Sequence, residues 1–272
     1  MLRIPFIVAN TYTDGPFSGG QTAICFPEGR AGEILAAGEH PAQEIARETA
    51  AACTCFVFPD GDGWRVRWFG AEAPGELGNM KYTLPGVAEA LRARGADRRR
   101  SGFTTVSGPF TVLRGEDGPF MAFRAAIPAP AAVTDGFVRA LGGTAPEKAY
   151  MGKNPILLLK DERAVRALEP DMEAIMRLPE GRGLFVAAPG DDADVVSRAF
   201  WPKIGIPEDT VCISMHADLG PLWKAETGRA AILSRQASAR GGLVRVRTEG
   251  EEVLLSGTTE LTCFGELRFE SI

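Results

Sequence analysis

Apolar and polar residues alternate along the chain in two stretches of similar layout. In the first, residues 3–10 (RIPFIVAN) and Gln21–Phe26 read as strands, parted by turn signals at Asp14-Gly15 and Gly19-Gly20. Pro41–Ala52 has helical spacing, with Ile45, Thr49 and Ala52 along one side. It runs into the strand-like Cys53–Phe58, closed by Pro59-Asp60-Gly61, and Trp64–Phe69 alternates as a half-buried strand. A loop over Gly70–Gly78 then leads into a helix from Asn79 to about Arg94, and strand patterns return at Gly102–Leu113 and Met121–Ala125.

Ala125–Ala132, rich in alanine and proline, lacks the alternation of a buried strand and reads as a linker. Beyond it the pattern predicts a strand at Pro155–Lys160, short helices at Glu162–Leu168 and Asp171–Arg177, and strands at Gly183–Ala188 and Ala193–Trp201. A helix over Val211–Leu219 and a strand at Leu243–Arg247 follow. The aromatic pairs Trp68-Phe69 and Phe200-Trp201 each precede a loop that enters a helix. Asn79-Met80 … Leu84-Pro85-Gly86 is echoed by Ser214-Met215 … Leu219-Gly220-Pro221. The repeated order predicts two similar α+β halves whose helix N-termini point into one cleft.

Composition narrows the function classes. A chain of 272 residues holds one large domain or two ordinary ones, and a net charge of −5 argues against a nucleic-acid surface. Arg98-Arg99-Arg100 reads as the solvated end of a helix. No stretch resembles a signal peptide or is apolar for long enough to span a bilayer, so a cytoplasmic protein without a membrane partner is expected. Five scattered cysteines without a C-x-x-C pair give no disulfide framework, and two histidines give no protein metal cage. An enzyme with neither metal nor cofactor is the expectation.

Candidate chemistry gathers in Gly205–His216, a turn-to-helix junction with a carboxylate, two hydroxyls, a thiol and an imidazole. At a helix N-terminus the Cys212 thiol would be tuned downward; the opposing reading is a small buried hydrophobe. Asp209 reads either as an acid/base or as the helix N-cap. His216, one turn after Cys212, reads as a group that polarises the thiol or as one that bonds a neighbouring carbonyl. Cys25, Cys55 and Cys263 read as core.

Short motifs run in order through almost the whole chain. They are Asp14-Gly15-Pro16-Phe17-Ser18-Gly19, Ile45-Ala46-x-Glu48, Phe56-Val57, Arg67-Trp68-Phe69 and Ser107-Gly108 in the first half. The second half has Ser197-Arg198-x-Phe200, Gly205-Ile206-x-Glu208-Asp209-x-Val211, Ser214-x-His216 with Trp223, and Gln236-x-Ser238-x-Arg240-Gly241-Gly242. In these the chain resembles the phenazine-biosynthesis PhzF-like family of the diaminopimelate epimerase and proline racemase superfamily. The resemblance implies an α+β fold of two pseudo-symmetric domains, each a curved sheet wrapped around a central helix. It places them at 1–118 and 119–261, the last strand (about 262–272) completing the first. It also implies a cofactor-free site that moves protons on a small carboxylate, in a homodimer.

Against that family's motifs, Cys53 stands where the acid/base glutamate falls, and the usual C-G-H reads Leu77-Gly78-Asn79. The usual D-P-V-T-G-S reads Asp209-Thr210-Val211-Cys212-Ile213-Ser214. In the epimerases and racemases a cysteine at the position of Cys212 is one of two bases, and its partner here would be Leu77, which takes no proton. The catalytic candidates are therefore Cys212 as the main acid/base, with Asp209, Cys53 and His216 assisting it. Asn79, Gly78, Ser214, Ile213, Gly19, Gly20 and Gly241 are candidates for holding substrate. The resemblance points to an isomerase that shifts a double bond on a small unsaturated carboxylate, with 4-alkylproline precursors as one such class. A one-thiol epimerase or dehydratase of a proline-like amino acid and a non-catalytic binding protein are the alternatives.

Overall fold

The computed structural model describes residues 1–116 and 118–271. From the N-terminus come β1 (Leu2–Thr13), β2 (Gly20–Cys25), α1 (Gly29–Ala37), α2 (His40–Thr49), β3 (Cys53–Asp60), β4 (Gly63–Phe69), α3 (Leu84–Ala93), β5 (Arg100–Thr105), β6 (Gly108–Gly115) and β7 (Gly118–Arg124). Next are β8 (Ala129–Ala131), α4 (Asp135–Ala140), β9 (Lys148–Met151), β10 (Pro155–Leu158), α5 (Glu162–Arg166), α6 (Met172–Arg177), β11 (Leu184–Pro189) and β12 (Val195–Phe200). The chain ends with α7 (Ile213–Thr227), β13 (Ala231–Gln236), β14 (Gly242–Glu249), β15 (Glu252–Ser256) and β16 (Thr258–Phe269). Two compact units result: Met1–Thr13, Gly20–Met121 and Gly257–Ile272 in the first, Asp14–Gly19 and Ala122–Ser256 in the second.

Each unit is built on the same strand plan. In the first the order is β16-β1-β2-β3-β4-β5-β6-β7; in the second it is β8-β9-β10-β11-β12-β13-β14-β15. Along the first order the pairs are antiparallel except β2–β3 and β4–β5. Along the second they are antiparallel except β10–β11 and β12–β13, the equivalent positions. Parallel neighbours need a crossover, and the helices supply it: α1 and α2 before β3, α3 before β5, α5 and α6 before β11, α7 before β13. The fold is α+β, and each sheet curls about one helix. In the first unit α3 meets β16 at one end of the order and β6 near the other. In the second α7 packs on β13, β14 and β15, while its Glu226 accepts a hydrogen bond from Tyr150 of β9 at 2.6 Å.

Burial explains the roles of the helices. Nine of the 15 residues of α7 are buried, on all its sides, as befits a helix enclosed by a sheet. The outer helices instead cover apolar faces: Ala31, Leu35, Ala42 and Ile45 pack with Ile4, Phe56 and Phe69 in the first unit. In the second, Phe137, Val165 and Ile175 pack with Leu184, Val186 and Phe200.

Several expectations are corrected. The Ala125–Ala132 stretch is not only a linker, because Ala129–Ala131 pairs with β9 as an exposed edge strand that needs no buried alternation. The helix expected to reach Ala52 stops at Thr49, where Ala50 turns left-handed (φ 48°) and frees the chain to enter β3. The helix expected to end at Leu219 continues through Gly220-Pro221 to Thr227. A β-carbon at Gly220 would lie 2.7 Å from Val246, so glycine lets the helix press against β14. The elements α1, α4, β9, β13 and β15 have no counterpart in the sequence reading. Cys25 and Cys55 are core, but Cys263 is exposed on β16.

Candidate functional site

The junction between β12 and α7 is held from several sides. Arg198 of β12 binds Glu208 with two parallel hydrogen bonds, Nε to Oε1 at 2.8 Å and Nη2 to Oε2 at 2.9 Å. Its Nη1 donates to the Leu168 carbonyl at 2.7 Å and to the Val165 carbonyl at 3.4 Å, and its guanidinium lies 5.0 Å over the Phe200 ring. One residue on, the Asp209 amide donates to the Ala199 carbonyl at 2.9 Å. Gln236, fully buried at the end of β13, spans the turn: its Nε2 donates to the Asp209 carbonyl at 2.5 Å and its Oε1 accepts from the Cys212 amide at 2.7 Å. The Ser238 hydroxyl donates to the Thr210 carbonyl at 2.7 Å. Buried backbone groups in an irregular turn need such partners, and here the β12 backbone and the side chains of Gln236 and Ser238 supply them.

These contacts set Asp209 beside Cys212. Asp209 keeps some solvent exposure as a residue, yet neighbouring atoms crowd its carboxyl, and lost hydration pushes its pKa up to about 6. Hydrogen bonding from the Cys212 thiol and the Val211 amide works in the opposite direction. The expected downward tuning of Cys212 is overturned. Burial pushes its thiol up, and the adjacent Asp209 charge pushes the same way; the Ser214 hydroxyl, 3.4 Å from Sγ, opposes this. Cys212 does sit at the N-cap of α7, but desolvation outweighs the helix end. Asp209 lies three residues before that cap, so it is not the N-cap, and Ser214 is in the first turn rather than capping it.

His216 does not polarise the thiol. Its Nδ1 lies 2.7 Å from the Cys212 carbonyl and its Nε2 3.0 Å from the Ser234 hydroxyl, so both ring nitrogens are engaged elsewhere. Burial pushes its pKa down to about 4, and it is a neutral, fully buried brace at pH 7. Ile213 is buried as the first residue of α7.

The first unit carries the same junction with different side chains. Arg67 of β4 binds Glu76 at 2.8 Å, donates to the Leu35 and Gly38 carbonyls at 2.8 and 3.0 Å, and lies 5.0 Å over Phe69. The Leu77 amide donates to the Trp68 carbonyl at 2.7 Å, as Asp209 does to Ala199. This register pairs Glu76 with Glu208 and Leu77 with Asp209. Counting on, Met80 stands opposite Cys212 and Tyr82 opposite Ser214, so the counterpart of Cys212 is not Leu77. The register read from the sequence, Asn79 with Ser214, is displaced by three residues. Asn79 is exposed and precedes a 3-10 turn, Lys81–Thr83, that leads into α3, so it does not start the helix.

Gly78 is exposed, and its carbonyl accepts from the Ser107 hydroxyl. The Tyr82 ring lies against Gly20, where a β-carbon would come within 2.5 Å of it. Cys53 is fully buried on β3, and burial together with the neighbouring Cys55 thiol pushes it well above an ordinary thiol. Gly19 and Gly241 do not present free amides. The Gly19 amide donates to the Gly241 carbonyl at 2.9 Å, and the Gly241 amide to the Ser238 hydroxyl at 3.2 Å. Among the described residues no group of three His, Cys, Asp or Glu gathers in a way that could hold a metal ion.

Two residues of the junction escaped the list of candidates. Gln236 stands in one of the family-like motifs, but only the folded turn reveals what its amide spans. Trp201, buried against Phe185 with ring centroids 5.2 Å apart, stands next to the Asp209–Cys212 pair. No local signal marks it beyond its place after Phe200.

The family described as phenazine biosynthesis-like protein, PhzC-PhzF, matches residues 9–263. An uncharacterised isomerase of Pseudomonas aeruginosa is 32% identical over 98% of this chain and 99% of its own. The crystal structure of a PhzF-family phenazine biosynthesis protein from Enterococcus faecalis superposes with a TM-score of 0.89 at 30% identity, covering 98% of this chain and 100% of that one. A hydroxyproline epimerase from Agrobacterium vitis, solved with bound trans-4-hydroxy-L-proline, shares the fold (TM-score 0.59, 12% identity, 98% and 94% covered).

Proposed function

Because this chain belongs to the PhzC-PhzF family and is an isomerase of that type, we propose that it shifts a double bond on a small unsaturated carboxylate without a cofactor. Asp209 is the group that carries the proton. The observation behind this is the raised pKa of Asp209 in a turn fixed on several sides. A carboxyl near 6 is ionised at pH 7 and takes a proton without holding it too tightly. It removes a proton from the carbon next to the alkene; the C–H pair moves into the conjugated system and negative charge gathers on the carboxylate oxygens. Asp209 then returns the same proton at the far alkene carbon, and the double bond has moved. Cys212 stays a thiol and serves as a hydrogen-bond donor beside Asp209. Ser214, in the first turn of α7, remains a proposed contact to the substrate carboxylate.

Amino-acid-derived carboxylates, 4-alkylproline precursors among them, are the class we would offer first, on the strength of the sequence resemblance alone. The same reading makes the protein a cytoplasmic homodimer, which sedimentation and fractionation would test. The direct test incubates the protein with 3-pentenoate and with 4-alkylidene-pyrroline carboxylates in D2O and follows the alkene protons by NMR. Alkene migration that is lost in Asp209→Asn supports the proposal; migration that survives in that variant refutes it.

A further inference from the structure

From Ile213 to Trp223 the helix α7 is buried at every position but two, Ser214 and Asp218. They stand one turn apart on one face of the helix, with β-carbons about 5–6 Å apart. Both are half-buried, so the sheet that encloses α7 leaves this strip within reach of solvent. The Asp218 carboxyl lies beside the turn between β9 and β10, where a β-carbon on the exposed Gly152 would sit 3.7 Å from Oδ2. Its charge has no fixed partner there. Among the described residues nothing donates a hydrogen bond to it, and the exposed Lys153 attracts it without forming an ion pair. Nor does its own helix supply a cation, since the positions one turn away hold Ser214, Met215, Pro221 and Leu222. Lost hydration pushes its pKa up to about 6, which leaves it ionised at pH 7. A carboxylate kept half-buried and unpaired is costly, and a cation that arrives with the ligand removes that cost.

We propose that Asp218 is a specificity-determining residue: it receives a cationic nitrogen, an ammonium or a protonated ring imine, carried by the substrate close to its carboxylate. The proposal rests on the reading of Asp209 and Ser214 given above. An ionised carboxylate only accepts, so the ligand atom must be a donor, and a charged N–H makes the strongest such bond. A metal ion is a poor fit, because among the described residues no set of acidic, thiol or imidazole ligands gathers around Asp218. The order along α7 matches a zwitterion. The N-terminal turn, at Ser214, favours the negative end, and the carboxylate one turn on favours the positive end. In an α-amino acid or a pyrroline carboxylate a single carbon separates these two ends, so both reach the strip at once. A carboxylate without nitrogen would fill only the Ser214 end and leave Asp218 unpaired.

Allylglycine and 4-pentenoate test this, since they share a carbon chain, an alkene and a carboxylate and differ by the ammonium group alone. Each is titrated into wild-type protein carrying 13C-labelled aspartate, with Asp218 and Asp209 assigned through the backbone. We expect allylglycine to bind about tenfold more tightly or better, and to shift the Asp218 carboxyl carbon where 4-pentenoate leaves it still. In Asp218→Asn, nearly isosteric and with its fold checked by circular dichroism, that preference should vanish. If the probes shift Asp209 but bind wild type equally well, or leave Asp218 still, the proposal is overturned and the reading of the site survives. It is overturned as well if Asp218→Asn weakens both probes alike, which is what a merely structural role predicts. If neither probe moves either carboxyl carbon, the proposal falls together with that reading. The wild-type titrations decide between these results even if the variant does not fold.

Discussion

The junction at Glu76–Tyr82 and the junction at Glu208–Ser214 are built by the same device and carry opposite chemistry. Each has an arginine on its strand, stacked 5.0 Å over a phenylalanine two residues on and bound to a glutamate at 2.8 Å. Each passes the next amide to the carbonyl after that arginine. Where the second junction places Asp209, Cys212 and Ser214, the first places Leu77, Met80 and Tyr82. The clamp therefore belongs to the fold, and the proton transfer we propose belongs to the second unit alone. A racemase that works with two matched thiols needs both junctions to titrate. One that works with a single carboxyl does not.

Substitutions at equivalent positions test that difference. The largest effect is expected at Asp209: Asp209→Asn should lower the rate of alkene migration by about 10²–10⁴-fold. Met80→Leu, at the counterpart of Cys212, should change it by less than about threefold, a nearly volume-conserving swap. Next come the clamps. Glu208→Gln and Glu76→Gln each leave a largely buried guanidinium half-paired, and both should cost about 2–3 kcal/mol in urea unfolding. Only Glu208→Gln, whose neighbour is Asp209, should also lower kcat. Gln236→Leu removes two hydrogen bonds from the turn and should cost about 2 kcal/mol, with a fall in kcat greater than any change in KM.

The smallest effects concern pH. Burial raises Asp209 above its unfolded value, to about 6, so its contribution to stability is present below the unfolded pKa and is lost as pH rises toward 7. His216, lowered to about 4, acts in the opposite sense, adding stability as pH rises through the same window, and Asp218, raised to about 6, acts like Asp209. The difference between wild type and Asp209→Asn isolates one group. The variant should gain stability relative to wild type between pH 4 and 7, as read by urea unfolding at each pH.

Much of the fold was legible because each half repeats an order of elements and the apolar spacing marks most of them. Edge strands such as Ala129–Ala131 were not legible, since an exposed strand needs no alternation. The site was legible as a place and misread in its electrostatics. Position at a helix N-terminus suggested a lowered thiol at Cys212, whereas the enclosing sheet removes its water and raises it. The repeat was seen three residues out of register because Asn79-Met80 and Ser214-Met215 look alike by residue type, across loops of different length: Glu76 follows Phe69 by seven residues and Glu208 follows Phe200 by eight. Loop length hides such a match. Only the carboxylate that each buried arginine requires restores it. Gln236 was missed for the same reason, since its bracing role exists only once β13 and the turn are together.

The measurement that bears most directly on a carboxyl as the proton carrier needs no substrate. The Asp209 carboxyl carbon, labelled with 13C and assigned through Asp209→Asn, is titrated in the folded protein. A midpoint near 6 is the result expected from its burial beside Cys212. A midpoint near the ordinary value of about 3.9 for aspartate would contradict the account, because such a carboxylate is too weak a base for the work assigned to it.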